Sequence, residues 1–251
     1  MAEDHSDGLT QSRSQALFVT TRWSVVLAAR DSSCPEAAPA LEAICRSYWF
    51  PLYAYVRRCG HSAPDAEDLT QEFFCRLIEK RWLDAADPEK GRLRTFLIAA
   101  LKNFMAKEWR RASAQRRGGG QVRVPMDTAF AETRYAATPA DSLPADETFD
   151  QQWALTLLEL TVNRLRAEFA AAGKPGDFTT LKDTLMAAHG AIDYGAVAGR
   201  LGGSAGAARV AVHRLRKRFR EVFREEISQT LAEGVNLDDE VRYLAAALAR
   251  G

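Results

Sequence analysis

Apolar residues recur every three or four positions along most of this sequence, and almost no useful length of it alternates with a period of two. The longer spacing puts apolar side chains on one face of a helix, whereas a period of two is typical of a half-buried strand. The segment 93–111 has this helical spacing, with apolar residues at positions 93, 96, 97, 100, 101, 104 and 105. We therefore predict an all-α fold.

Breaks in this pattern predict how the chain is divided. Between Ala112 and Asp150 the periodicity fails, Gly118–Gly120 run together, and residues 126–150 hold six acidic residues and one basic residue. Such a composition favours a flexible linker, and 251 residues leave room for a small helical domain on either side of it. The predicted segments are a flexible leader at 1–20, a helical domain at 21–112, a flexible acidic linker at 113–150, a second helical domain at 151–228 and a helical tail at 229–251.

Charge is segregated along the chain, although the formal net charge is only +1. Residues 91–117 carry eight Lys or Arg residues against the single acid Glu108, and residues 209–224 carry seven against Glu221. Two basic segments in an otherwise acidic chain indicate two separate contacts with a nucleic-acid backbone. The alternative for either segment is a solvated helix face with no partner.

The segment 62–80 predicts a helix with one acidic face. Ser62 is a suitable N-cap, Pro64 lies in the first turn, and Phe73 and Phe74 belong to an apolar stripe. Acidic and amide residues remain on the opposite side, and such a face suits a basic protein partner. We expect Phe73 and Phe74 to be core residues, the alternative being an apolar edge of the partner-binding face.

Residues 193–218 have the layout of a helix-turn-helix: a short helix, a glycine turn, Ser204 as a cap and a longer basic helix. In that motif the second helix presents its N-terminal half to base edges in the major groove. The DNA-binding candidates are Ser204, Arg209, His213, Arg214, Arg216 and Lys217. The alternative is a buried helical hairpin whose basic turn is stabilised by the helix dipole.

Read together, DAEDLTQEFFCRLIEK at 65–80 and GRLRTFLIAALKNFMAKEWRR at 91–111 resemble two helices of bacterial RNA polymerase sigma factors of the extracytoplasmic-function (ECF) type. The resemblance covers about residues 20–112 and 150–226. It implies a region-2-like domain that binds core RNA polymerase and the promoter minus-ten element, and a region-4-like helix-turn-helix domain that reads the minus-thirty-five element. Expected partners are the clamp of the largest polymerase subunit, the flap of the second subunit and promoter DNA, with an anti-sigma factor as a candidate regulator. The expected polymerase contacts are Asp65, Glu67, Asp68, Leu69, Gln71 and Glu72.

The same resemblance places the minus-ten contacts on the second helix and the loop before it. A base that leaves the duplex needs a pocket, and the resemblance puts that pocket at about 84–94. Trp109 offers a surface on which an unpaired base can stack, or alternatively a lid on the core. The expected minus-ten contacts are Lys90, Arg92, Arg94, Lys102, Asn103, Lys107, Trp109, Arg110 and Arg111.

The second half departs from the family pattern. Residues 160–166 replace the usual start of the second domain, residues 173–190 are inserted, and the Gly202–Ser204 turn is looser than usual. Beyond the domain, Val241, Leu244, Ala245 and Leu248 form an apolar helical stripe. We hypothesise that this tail folds back on a domain or on a regulator.

Catalytic functions find little support in the sequence. The four histidines are dispersed, the four cysteines have no metal-ligand spacing, and no phosphate-binding loop or nucleophile motif is present. We predict a sigma factor that promotes promoter melting, with no enzymatic activity, cofactor or metal, no membrane insertion and a cytoplasmic location. The alternatives are a helix-turn-helix regulator that acts without polymerase docking and a nucleic-acid-processing enzyme.

Overall fold

The computed structural model describes residues 23–31, 35–114, 128–136, 143–188, 190–231 and 234–250. Within those ranges the regular structure is helical and includes no strand, which confirms the all-α prediction there. The α-helices of this part are α1 (Trp23–Arg30), α2 (Ala37–Arg58), α3 (Ala63–Glu79), α4 (Leu93–Ala114), α5 (Thr128–Ala136), α6 (Ala145–Ala171), α7 (Pro175–Leu181), α8 (Tyr194–Leu201), α9 (Ala205–Ser228) and α10 (Leu237–Ala249). The predicted leader at 1–20 lies outside the described residues.

The chain forms two compact units. Unit 1 is Met1–Thr156 together with Gln229–Gly251, and unit 2 is Leu157–Ser228. Helix α10 is therefore part of unit 1. Helix α6 begins at Ala145, inside the interval predicted to be linker, and is continuous through the predicted start of the second domain at 151.

Helix α2 supplies much of the core of unit 1. Every residue from Ser47 to Val56 is buried, and the ring of Tyr48 stacks on Trp153 with centroids 4.3 Å apart. The sequence predicts a kink or a restart at Pro51, and the helix does not restart there, since it continues through that residue. Proline removes one backbone hydrogen bond from a helix, and the burial of the surrounding apolar side chains offsets that loss.

Helix α5 occupies part of the interval predicted to be a flexible linker. Arg57 of α2 donates to Glu132, with Nη2 2.8 Å from Oε1, and the hydroxyl of Tyr53 donates to the same carboxylate. The guanidinium carbon of Arg134 lies 4.2 Å from the ring centroid of Phe50. The linker prediction is wrong for this helix, because contacts with distant α2 order a segment that lacks a helical period of its own.

Helices α3 and α4 pack together around Phe73. The ring centroid of Phe73 lies 5.5 Å from that of Phe74 and 6.0 Å from that of Phe104 on α4. Trp82, in the connection between the helices, lies 6.0 Å from Phe73. Phe73 and Phe74 are 0% and 6% exposed, so their prediction as core residues is confirmed.

Unit 2 has its own core and a network of ion pairs beside it. The buried core residues are Leu165 of α6, Phe178 and Leu181 of α7, and Val212, Leu215 and Val222 of α9. Arg164 Nη1 lies 2.9 Å from Glu226 Oε1, and Arg218 Nη2 lies 2.7 Å from Glu168 Oε1. These pairs join α6 to the C-terminal half of α9.

Helix α7 is shorter than its sequence suggests. Its periodicity predicts a helix over 178–189, but the helix ends at Leu181 and a single 3-10 turn, Lys182–Thr184, follows. The backbone carbonyls of Thr184 and Ala187 accept hydrogen bonds from Arg216 Nη2 at 2.6 and 2.7 Å. A side chain of α9 thus satisfies carbonyls that a longer helix would have paired internally.

The thiols in the described part of the chain are all free: Cys45, Cys59 and Cys75. Burial raises the pKa of the Cys45 thiol to about 11, which keeps it protonated at neutral pH. No helix in the described ranges has both the length and the apolar character needed to cross a bilayer.

The core position of Phe73 predicts a large loss of stability on truncation. Phe73→Ala should lower the free energy of unfolding by about 3–5 kcal/mol, because it leaves a cavity among aromatic rings. Ile78→Ala on the same helix is the control, since Ile78 is 42% exposed, and its effect should stay within about 0.5 kcal/mol. Denaturant unfolding measures both, and equal losses in the two variants would contradict the packing described.

The pair between Arg218 and Glu168 predicts a pH dependence. Hydrogen bonds from Arg218 hold the pKa of the Glu168 carboxyl below its usual value, so its contribution to stability is present above the unfolded pKa and is lost as the pH falls through the folded one. Wild type should be more stable than Glu168→Gln at pH 7 by up to about 1 kcal/mol, given the partial exposure. The difference should shrink as the pH falls below the unfolded pKa of a glutamate, about 4.3; a pH-independent difference in urea unfolding would rule this out.

Candidate nucleic-acid interface

Helix α3 begins at a reciprocal cap. The backbone N–H of Asp65 donates to Ser62 Oγ at 3.3 Å, and the Ser62 hydroxyl donates to Asp65 Oδ2 at 2.6 Å. Pro64 occupies the first turn, where its missing N–H costs nothing. The start predicted from the sequence is therefore confirmed.

The outer face of α3 carries the predicted polymerase contacts. Asp65 and Asp68 are exposed, whereas Glu67, Leu69, Gln71 and Glu72 are half-buried. Gln71 Nε2 donates to Glu67 Oε1 at 2.9 Å, and Glu72 Oε1 lies 2.7 Å from Arg76 Nε. Since no ion pair within the described residues engages Asp68, its carboxylate is the charge that this face presents most openly.

Helix α4 separates its core residues from a basic outer face. Leu93, Leu97, Leu101 and Phe104 are buried on one side. Predicted minus-ten contacts that the structure leaves exposed on the other side are Lys102, Asn103, Lys107, Trp109 and Arg110. Lys102 Nζ lies 2.7 Å from Asp146 Oδ1 at that surface. The side chains of Lys90 and Arg111 lie outside the described residues.

Trp109 is the most exposed of the large apolar side chains described, at 75%. A lid on the core would be buried against it, so the alternative that Trp109 covers the core is wrong for this structure. An indole ring that stands in water beside basic side chains suits stacking with an unpaired base.

The connection between α3 and α4 is anchored rather than loose. Leu83 and Ala86 are buried, and Arg30 Nη1 donates to the carbonyl of Ala86 at 3.2 Å. Arg81 adopts a left-handed backbone conformation with a φ of 51°, and its guanidinium donates to the Arg30 carbonyl at 2.9 Å. The loop predicted to hold a displaced base is thus fixed to α1 on one side.

Arg92 and Arg94, also predicted to contact DNA, lie away from the exposed face of α4. Arg92 Nη2 lies 2.7 Å from Glu240 Oε2, and Arg94 Nη1 lies 2.6 Å from Glu240 Oε1. Arg94 is 5% exposed and Glu240 only 1%. Sequence reasoning missed Glu240, because an acid that precedes an apolar stripe carries no signal of a partner so far away along the chain.

In unit 2, helices α8 and α9 are joined by a three-residue turn. Asp193 caps α8 by accepting from the N–H groups of Gly195 and Ala196 at 2.9 and 3.0 Å. Gly202 ends α8 with a φ of +70°, a conformation that favours glycine. Ser204 then caps α9, where its Oγ accepts from the Ala207 N–H at 3.2 Å.

The predicted DNA contacts of α9 fall into two groups. Exposed ones are Ser204, Arg209, His213, Arg214 and Lys217. Arg209 lies over the ring of Tyr194 on α8, with 5.2 Å between the guanidinium carbon and the ring centroid. Arg216 is half-buried and donates to backbone carbonyls of the segment after α7. Arg216 is therefore engaged inside the unit.

Comparison with protein families gives a match for part of the chain. Residues 45–115 match the Sigma-70 region 2 family, a family without enzymatic activity. No curated protein and no solved structure matches this chain. Among the described residues, no group of three or more His, Cys, Asp or Glu side chains is arranged to hold a metal ion.

The matched residues coincide with the elements that carry the candidate interface in unit 1. They begin within α2, include all of α3, and end one residue beyond α4. The acidic and amide face of α3 and the basic face of α4 therefore both belong to the matched segment. Residues 45–115 are thus similar to a Sigma-70 region 2 domain, which is consistent with a sigma factor.

Proposed function

We propose that this protein is a sigma factor of the ECF type, which binds core RNA polymerase, directs it to promoters and promotes melting of the DNA. The observation that carries the proposal is the Sigma-70 region 2 match over 45–115, in a segment that presents an acidic face on α3 and a basic face on α4. One face suits a protein partner and the other suits DNA, so a single small domain can join the two.

The polymerase contact of this proposal is the outer face of α3, and its target is the clamp of the largest subunit. Asp65 and Asp68 are exposed there, and the half-buried Leu69 lies next to Asp68 in the helix. A face of this kind combines charge that guides encounter with apolar area that holds the complex. Glu72 contributes less charge to a partner, since Arg76 already neutralises it.

The minus-ten contact of this proposal is the exposed face of α4. Lys107 and Arg110 suit phosphates, Asn103 suits a base edge, and Trp109 suits a base that has left the stack. Melting in this view needs no nucleotide hydrolysis, because binding of the separated strand offsets the cost of opening the duplex.

The minus-thirty-five contact of this proposal is the N-terminal half of α9. Ala205, Gly206 and Ala207 are small and exposed, so the helix can approach the major groove closely. Arg209, His213, Arg214 and Lys217 would supply the base and phosphate contacts, while the polymerase flap and an anti-sigma factor are further proposed partners. Since core polymerase works in the cytoplasm, we place the protein there.

Charge reversal on α3 tests the polymerase contact. Asp68→Lys should weaken binding to core polymerase at least about tenfold and reduce polymerase-dependent transcription to a similar degree, because a desolvated charge pair is replaced by repulsion. Glu42→Lys is the control of equal charge change, since Glu42 is exposed on α2 and its one ion pair among the described residues is with the nearby Arg46. Pull-down of core polymerase and run-off transcription measure the two effects.

The same experiment distinguishes a sigma factor from a DNA-binding regulator that acts without polymerase. Equal behaviour of the Asp68 and Glu42 variants would remove α3 as the docking face. If wild type bound duplex DNA but ignored core polymerase, the protein would be a regulator that acts without polymerase.

Removal of the exposed indole tests the minus-ten contact. Trp109→Ala should change the free energy of unfolding by less than about 0.5 kcal/mol, because the side chain stands in water. It should weaken binding of single-stranded DNA by about 1–3 kcal/mol, the usual value for one stacked base. Leu27→Ala is the control, since Leu27 is 50% exposed on α1; fluorescence anisotropy that shows the same affinity for both variants would contradict base stacking at Trp109.

A further inference from the structure

Helix α10 places the carboxylate of Glu240 beside Arg92 and Arg94, two arginines that the sequence resemblance identifies as expected minus-ten DNA contacts. Glu240 lies 2.7 Å from Arg92 through one oxygen and 2.6 Å from Arg94 through the other. Arg94 Nε is also 3.7 Å from Asp150 Oδ1. A buried carboxylate between two guanidinium groups resembles the environment of a bound phosphate, since both anions form ion pairs with the same cations.

Further contacts of α10 enclose Arg94. The guanidinium carbon of Arg94 lies 5.1 Å from the ring centroid of Tyr243, and the Tyr243 hydroxyl donates to Asp150. Leu244 is fully buried in the same helix, and Arg250 Nη1 pairs with Glu147 Oε2 at 2.7 Å near its end. With α10 in place, a DNA strand cannot reach the guanidinium of Arg94.

We propose that α10 is an autoinhibitory element: Glu240 holds Arg92 and Arg94 in place of a DNA phosphate, and the two arginines contact the promoter strand only after α10 leaves. This inference rests on the proposed function, because it takes the two arginines as strand contacts. It goes beyond that function by making DNA binding depend on the state of a helix outside the matched region 2 segment.

The attachment of α10 is suited to reversal. Leu244 and Ala247 are its fully buried apolar residues, which is a small apolar area for a docked helix. A buried ion pair adds little net stability, because desolvation of the charges offsets much of their attraction. At 13 residues, the helix is also too short to persist by itself in water once it is undocked. When α10 undocks, a DNA phosphate would therefore take the place of the Glu240 carboxylate beside Arg92 and Arg94.

Glu240→Gln in the full-length protein tests this inference. The variant removes the closest counter-charge of the buried Arg94 and the half-buried Arg92, so α10 should undock while side-chain volume is kept. Asp239→Asn is the matched control, since it removes the same charge from the same helix at an exposed position whose one ion pair within the described ranges is with Arg242. The probe is a fluorescently labelled single-stranded oligonucleotide of mixed sequence, and its affinity is measured by anisotropy with and without core polymerase.

The expected result is tighter DNA binding by Glu240→Gln. With α10 docked in roughly 90% or more of wild-type molecules, loss of docking should raise the affinity for the probe at least about tenfold. The affinity of Asp239→Asn should stay within about twofold of wild type. The slope of log affinity against log salt should also steepen by about 1.4, because each new phosphate contact on a single strand adds about 0.7. A purely structural role of Glu240 would not steepen this slope.

Other outcomes overturn the inference. Equal or weaker binding by Glu240→Gln with a preserved thermal transition means that α10 is only a structural part of unit 1. If that variant does not fold, Tyr243→Ala replaces it, since the exposed ring can be removed without burying a charge. Unchanged DNA binding by Tyr243→Ala would likewise mean that α10 is only a structural part of unit 1.

The outcomes also distinguish failure of this inference from failure of the proposed function. If wild type binds core polymerase and the probe while both variants match it, only the autoinhibition is wrong. If no form binds either, the proposed function fails, and this inference fails with it.

Discussion

Burial of one continuous stretch of α2 is the constraint on which the rest of unit 1 depends. Ten successive residues, Ser47 to Val56, have almost no exposed surface, so partners must cover every side of the helix. Helices α3 and α4 pack against α2, α5 covers Phe50 and Tyr53, and Trp153 covers Tyr48. Because the inner faces of α3 and α4 are committed to this core, only their outer faces remain for partners.

Local periodicity and capping were enough to predict the elements that carry the interface. The bounds of α3, its Ser62 cap and the buried position of Phe73 all follow from residues close together in the sequence. Helix α5 and the passage of α2 through Pro51 could not be predicted in this way. Both depend on tertiary contacts between segments far apart in the chain, and such contacts override local propensity.

The residues of the candidate site also differ in whether the local sequence predicts their exposure. Exposure of Lys102, Asn103 and Lys107 follows from the helical period of α4, whereas the state of Arg94 and Arg216 does not. Each of these two arginines is positioned by a group that sequence proximity does not indicate: a carboxylate on α10 for Arg94, and the carbonyls after α7 for Arg216. Composition identifies a basic segment, but only the fold determines which of its charges reach the surface.

The ion pairs of unit 2 also shape its electric field. Acids at the C-terminal half of α9 and on α6 neutralise Arg164 and Arg218, so uncompensated positive charge is concentrated in the N-terminal half of α9, where the helix dipole adds to it. A unit polarised in this way turns its positive end toward a polyanion during diffusion, before any contact forms. The gain is in the rate of productive encounter, and it declines as ionic strength shortens the range of the field.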